Sequence, residues 1–134
     1  MAYWLLKTEP STYSYTDLER DGKTVWDGVT NNLALRHLRS MKDGDLAFVY
    51  HSGKEKCIVG IAEVASDPYP DPKHNDARIV VINLAPKEKL ASPVPLSAIK
   101  GLKEFATFHL VRIPRLSVMP VSASQWKKLL GMSH

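Results

Sequence analysis

The chain has 134 residues, 44% hydrophobic and 24% charged, with a net charge of +4. That balance suits one globular domain and excludes a disordered chain, a collagen and a coiled coil. A single cysteine, Cys57, excludes an internal disulfide and a zinc site built from cysteines.

In chain order, Tyr3–Lys7 reads as a short buried strand, ended by the Thr8-Glu9-Pro10 turn. Ser14–Arg20 predicts a short helix, with Ser14 as N-cap, Asp17 three residues later and Gly22 as its stop. Val25–Gly28 reads as a loop around Trp26. Asn31–Met41 carries Leu33, Leu35, Leu38 and Met41 at helical spacing. Lys42–Asp45 is turn chemistry, and Asp43 and Asp45 read as a solvated turn around Gly44. Leu46–Tyr50 and Cys57–Ala65 predict a hairpin turning at Ser52-Gly53-Lys54. The proline- and aspartate-rich stretch Asp67–Asp76 is a loop, and Ile79–Leu84 a strand. Leu96–Lys100 is a short helix stopped by Gly101, and Lys103–Arg112 is ambiguous. Leu116–Val121 reads as an edge strand because of Pro120. Ser122 and Gln125 have capping-box spacing, Trp126, Leu129 and Leu130 form an apolar stripe, and Gly131 fits a C-cap. About five strands with short helices predict an α+β fold with a partly closed mixed sheet.

No apolar stretch nears the ~18 residues of a membrane span. The start, Met1–Lys7, lacks the basic n-region of a signal peptide. The expectation is one domain over 1–134, cytoplasmic or, in a eukaryote, nuclear, not secreted and with no membrane partner.

Residues 100–134 hold six basic groups and one acidic one, a net of +5, while 1–99 sum to −1. Clustered positive charge attracts phosphates. Lys100, Lys103, Arg112 and Arg115 are the candidate phosphate contacts.

Catalytic chemistry finds little support. His51 and Ser52 are neighbours on a strand and point to opposite faces. Cys57 sits in an apolar strand, the five histidines lack metal spacing, and no phosphate-binding glycine loop occurs. No metal or cofactor is expected. Polar residues do gather where strands end: Lys7, Thr8 and Glu9; Asp27 and Gly28 beside Trp26; Asn31 and Asn32; Tyr50, His51 and Ser52; and Ser117. A loop tryptophan either packs on the core or forms a platform for a planar ligand. Trp4 and Trp126 are read as core.

These segments together resemble the EVE family, a branch of the PUA-like folds that includes the thymocyte nuclear proteins. The matching pieces are Tyr3–Pro10, Trp26–Val29 with Asn31, Met41–Asp45, Tyr50–Ser52, Val59–Val64, Tyr69–Asp71 and Arg115–Val121, in the expected order along nearly the whole chain. The resemblance implies a PUA-like mixed β-barrel of five or six strands with short peripheral helices. It also implies a non-catalytic reader of a modified base in DNA, methylated or oxidised cytosine or methylated adenine. Local similarity to YTH domains implies a base flipped into an aromatic pocket with Trp26 as one wall. The pocket residues it implies are Lys7, Thr8, Glu9, Pro10, Trp26, Asp27, Gly28, Val29, Asn31, Asn32, Tyr50, His51, Ser52, Leu116 and Ser117.

Two departures bear on the base. Thr30 stands where the family usually has arginine before Asn31, and the segment after Asp71 is short and lacks a tryptophan. The further walls of a YTH cage have no aromatic counterpart in that segment. That leaves a shallower pocket, or one completed by Tyr50, His51 and Val29. Rival readings are an RNA-binding PUA-like module, and a hydrolytic or small-molecule site using His51 and Glu9. Under the reader hypothesis, Trp26→Ala is expected to abolish base discrimination with little loss of fold.

Overall fold

A computed structural model describes residues 1–133. The strands are β1 (Tyr3–Thr8), β2 (Thr24–Trp26), β3 (Leu46–His51), β4 (Cys57–Val64), β5 (Tyr69–Pro70), β6 (Val80–Pro95) and β7 (Val118–Val121). The helices are α1 (Tyr15–Asp21), α2 (Asn32–Arg39), α3 (Leu96–Lys100), α4 (His109–Arg112) and α5 (Ala123–Gly131), with a 3₁₀ turn at Lys103–Phe105. The sheet runs β2–β6–β4–β3–β1–β7, with β5 beside β6. Only β1 and β3 pair in parallel; the other pairings are antiparallel, which makes the sheet mixed. None of the helices described is long and apolar enough to cross a membrane.

Six strands form the main path of the sheet, as expected, and the two-residue β5 adds a seventh. Val25–Gly28 is not simply a loop, because Thr24–Trp26 forms β2 against Ile82–Leu84. Two residues of the Asp67–Asp76 loop pair as β5. The largest correction concerns Ile79–Leu84, which is the start of a sixteen-residue strand. Pro86, Pro93 and Pro95 look like strand breakers. They lie beyond Leu84, where β4 is the strand partner of β6 and an open edge needs no ladder N–H. The pairing between β4 and β6 shifts register twice, which bends the strand and curls the sheet.

Local chemistry explains the helices. Ser14 and Asp17 form a reciprocal capping box on α1, and Gly22 closes it at φ 72°. Ser122 and Gln125 do the same for α5. Gly131 is the last residue of α5, and Met132 is the cap, a one-residue correction. The ambiguous Lys103–Arg112 stretch resolves into the 3₁₀ turn and α4.

Beneath α5, Trp126 stacks on Phe48 with ring centroids 3.9 Å apart and on Tyr3 at 4.6 Å. Trp4 is also buried, and its indole N–H donates to Asp45 at 3.0 Å. Asp45 is therefore not the solvated turn residue expected; it is buried and also accepts from the amides of Ala2 and Lys42.

Gly60 on β4 is a point of close approach. The Tyr15 ring lies over it, and a Cβ there would overlap that ring. The Tyr15 hydroxyl donates to the Ile61 carbonyl at 2.7 Å, so the ring is held in place. Gly60→Ala is expected to cost about 1–3 kcal/mol by overpacking. Thermal melting should show this as a Tm lowered by roughly 4 °C per kcal/mol.

Candidate functional site

The fold brings the end of β1, the loop after it, β2 with its following turn, and the residue before β7 around one open cleft of about 470 Å³. Its lining includes eight residues expected from the sequence: Lys7, Thr8, Glu9, Trp26, Asp27, Gly28, Val29 and Ser117. Thr12, Tyr13, Thr24 and Val25 complete it.

Trp26 is held by the β2–β6 pairing and is 8% exposed. It is core and cleft wall at once, so alanine there is now expected to destabilise the fold as well as to remove the wall. Truncating a buried tryptophan costs about 3–5 kcal/mol. Tyr13 stands edge-on to it, ring centroids 6.3 Å apart and planes at 81°. The Tyr13 hydroxyl donates to Asp21 at 2.8 Å, and Thr8 Oγ1 donates to the Tyr13 carbonyl at 2.6 Å. Burial raises the Tyr13 pKa. The second aromatic wall comes from the β1–α1 loop. Sequence reasoning missed it because nothing local to Tyr13 shows that its ring packs against Trp26, thirteen positions away.

After Trp26 the chain passes through Gly28 at a φ of 79°, which a side chain would strain. Asp27 lies at the rim and pairs with Lys73 at 3.2 Å. Lys7 forms the opposite flank. Its amide donates to Ser117 O at 2.9 Å, tying β1 to the segment before β7. Its ammonium donates to the Pro114 carbonyl at 2.6 Å and lies 5.6 Å from the centre of the Tyr50 ring. Half-burial lowers the Lys7 pKa by desolvation. The Glu9 carboxylate accepts from the Ser11 amide and hydroxyl.

The remaining candidates are placed elsewhere. Asn31 Oδ1 accepts from the Ala34 amide at 3.0 Å as the N-cap of α2, and Asn32 begins that helix. Pro10 is in the turn after β1, and Leu116 is buried core. His51 is buried: Nε2 accepts from the Tyr15 amide at 3.0 Å, and Nδ1 faces Glu55 at 2.9 Å. Both ring nitrogens thus have structural partners, which places the proton on Nδ1. Tyr50 and Ser52 line a second cleft, described below. Of the basic candidates, Lys100 lines that second cleft, whereas Lys103, Arg112 and Arg115 are exposed and line neither.

The first cleft is lined by two aromatic residues packed edge to face, Trp26 and Tyr13, by Val29, by several hydroxyls and by the carboxylates of Glu9 and Asp27. A planar, partly polar ring of nucleobase size suits it.

Comparison with known proteins places this geometry. The profile of the EVE domain matches residues 2–132. Thymocyte nuclear protein 1 of Rattus norvegicus is 42% identical, over 98% of this chain and 74% of its own length. The structure of Rpa0253 from Rhodopseudomonas palustris superposes with a TM-score of 0.94 at 40% identity, covering 99% of this chain and 93% of that one. The human THYN1 protein, solved in complex with 5-methylcytosine-containing DNA, superposes with a TM-score of 0.91 at 26% identity, covering 100% and 98%. The curled mixed sheet with short helices is the PUA-like fold of these relatives. The chain belongs to the EVE domain family.

Proposed function

We propose that the chain is a non-catalytic DNA-binding reader that seats a modified cytosine in the cleft beside Trp26. The supporting observation is the aromatic cleft itself, formed by Trp26 and Tyr13 in a fold similar to human THYN1, which was solved with 5-methylcytosine-containing DNA. Trp26 supplies the stacking face. Val29 contacts the 5-methyl group, where apolar contact replaces water. Glu9 accepts from the exocyclic amine and Ser117 bonds the base edge. Lys7 and the C-terminal basic residues draw in the phosphates. Against a hydrolytic role through His51 and Glu9 stands the placing of His51, which is held by the Tyr15 amide and Glu55 and is not among the residues lining the cleft.

The test is an NMR titration of the ¹⁵N-labelled protein with a duplex carrying one 5-methylcytosine. The Trp26 indole and the amides of Gly28 and Ser117 should shift together. Shifts confined to the C-terminal basic residues would refute the pocket. Tighter binding of the same sequence as RNA would point to an RNA-binding module.

A further inference from the structure

A second cleft, of about 260 Å³, adjoins the first, and Lys7 lines both. Its lining holds three lysines, Lys7, Lys56 and Lys100, with Tyr50 and Ser52 at its side. No carboxylate is among the lining residues. Among the described residues, none of the three lysines forms an ion pair. Separate elements deliver them: β1 carries Lys7, the β3–β4 turn carries Lys56, and α3 ends in Lys100. Lys56 adopts a φ of 47°, rare for a residue with a side chain, and its carbonyl accepts from the Leu96 amide at 2.8 Å. The turn bearing Lys56 is thereby joined to the start of α3.

Three lysines lining one cleft outnumber the single carboxylate beside it, Glu9 against Gly53, and such an excess of positive charge favours an anion. A tetrahedral, singly charged phosphodiester suits a small cleft lined by three lysines. A nucleotide's base and its own phosphate are separated only by the sugar. Lys7 lines both clefts, the arrangement expected if one nucleotide is to lie across them.

We propose that the Lys7–Lys56–Lys100 cleft holds the backbone phosphate beside the nucleotide whose base enters the Trp26 cleft. This rests on the reader proposal and adds where the strand runs. It also divides the basic residues by role. Lys56 and Lys100 act at a fixed point, while Lys103, Arg112 and Arg115 contribute only general attraction.

The experiment measures Lys56→Gln, Lys100→Gln and the double variant against duplexes with and without 5-methylcytosine over a range of salt. Both lysines are exposed, so the variants should fold. Each lost phosphate contact should reduce the slope of log K against log salt by about 0.9, and the double variant by about twice that. Affinity should fall by the same factor for both duplexes. A control removing equal charge elsewhere, Lys127→Gln with Lys128→Gln, should change the slope less. A neutral methylphosphonate flanking the methylated nucleotide should weaken the wild type but not the double variant. An unchanged slope, an equal effect of the control, or additive losses from methylphosphonate and variant would overturn the assignment. The methylated-to-unmethylated affinity ratio of the wild type reports on the base cleft alone, so failure of the reader proposal is read separately.

Discussion

Trp26→Leu is expected to weaken binding to 5-methylcytosine DNA roughly 5- to 150-fold and to leave binding to unmodified DNA nearly unchanged. The range corresponds to the ~1–3 kcal/mol that base–aromatic stacking supplies. Leucine is the informative replacement because Trp26 is mostly buried and supports the β2–β6 junction. Alanine would open a core cavity and confuse unfolding with lost recognition. Leucine retains apolar volume but offers no flat face. Parallel circular dichroism melts check that the fold persists. An equal loss for both duplexes, with the fold intact, would mean that Trp26 supports the binding surface without reading the base.

Asp45→Ala should be the most damaging substitution away from the clefts. Asp45 accepts from the Trp4 indole, the Ala2 amide and the Lys42 amide at 3.0–3.1 Å while buried. Truncation strands these donors, and each unsatisfied buried donor costs about 1–3 kcal/mol. Water reaches the two outer amides more readily than the indole, so the net loss should be about 3–5 kcal/mol. With a urea m-value of about 2 kcal/mol per molar, the unfolding midpoint falls by roughly 2 M. Asp45→Asn keeps one acceptor and should recover part of the loss. A shift in the Asp45→Ala midpoint below about 0.5 M would restore the reading of Asp45 as a solvated turn residue.

What was legible in the sequence was mainly local. The capping boxes at Ser14 and Ser122 state their helices within four residues, and Pro120 marks β7 as an edge. What stayed hidden depends on distant partners. Asp45 looks solvated until Trp4, forty-one positions away, is placed against it. The length of β6 was masked by its prolines, which stand in a strand once β4 is laid alongside. The site divided in the same way. Its β1 end and the Trp26 turn were visible as strand-end polar residues and as a family resemblance. Tyr13 was not, because nothing local to it shows that its ring packs against Trp26. Asn31 and His51 carry the right chemistry for a base edge but spend it on the α2 cap and the Tyr15 amide. Sequence alone cannot reveal such prior engagements.

The central claim is that the Trp26 cleft reads the base itself and that the basic surface alone does not account for binding. The most direct measurement is the affinity of matched duplexes, with and without one 5-methylcytosine, at a low and a high salt concentration. The account predicts that both affinities fall with salt while their ratio persists, because stacking and apolar contact are not screened. Equal affinity for the two duplexes, collapsing together as salt rises, would contradict it.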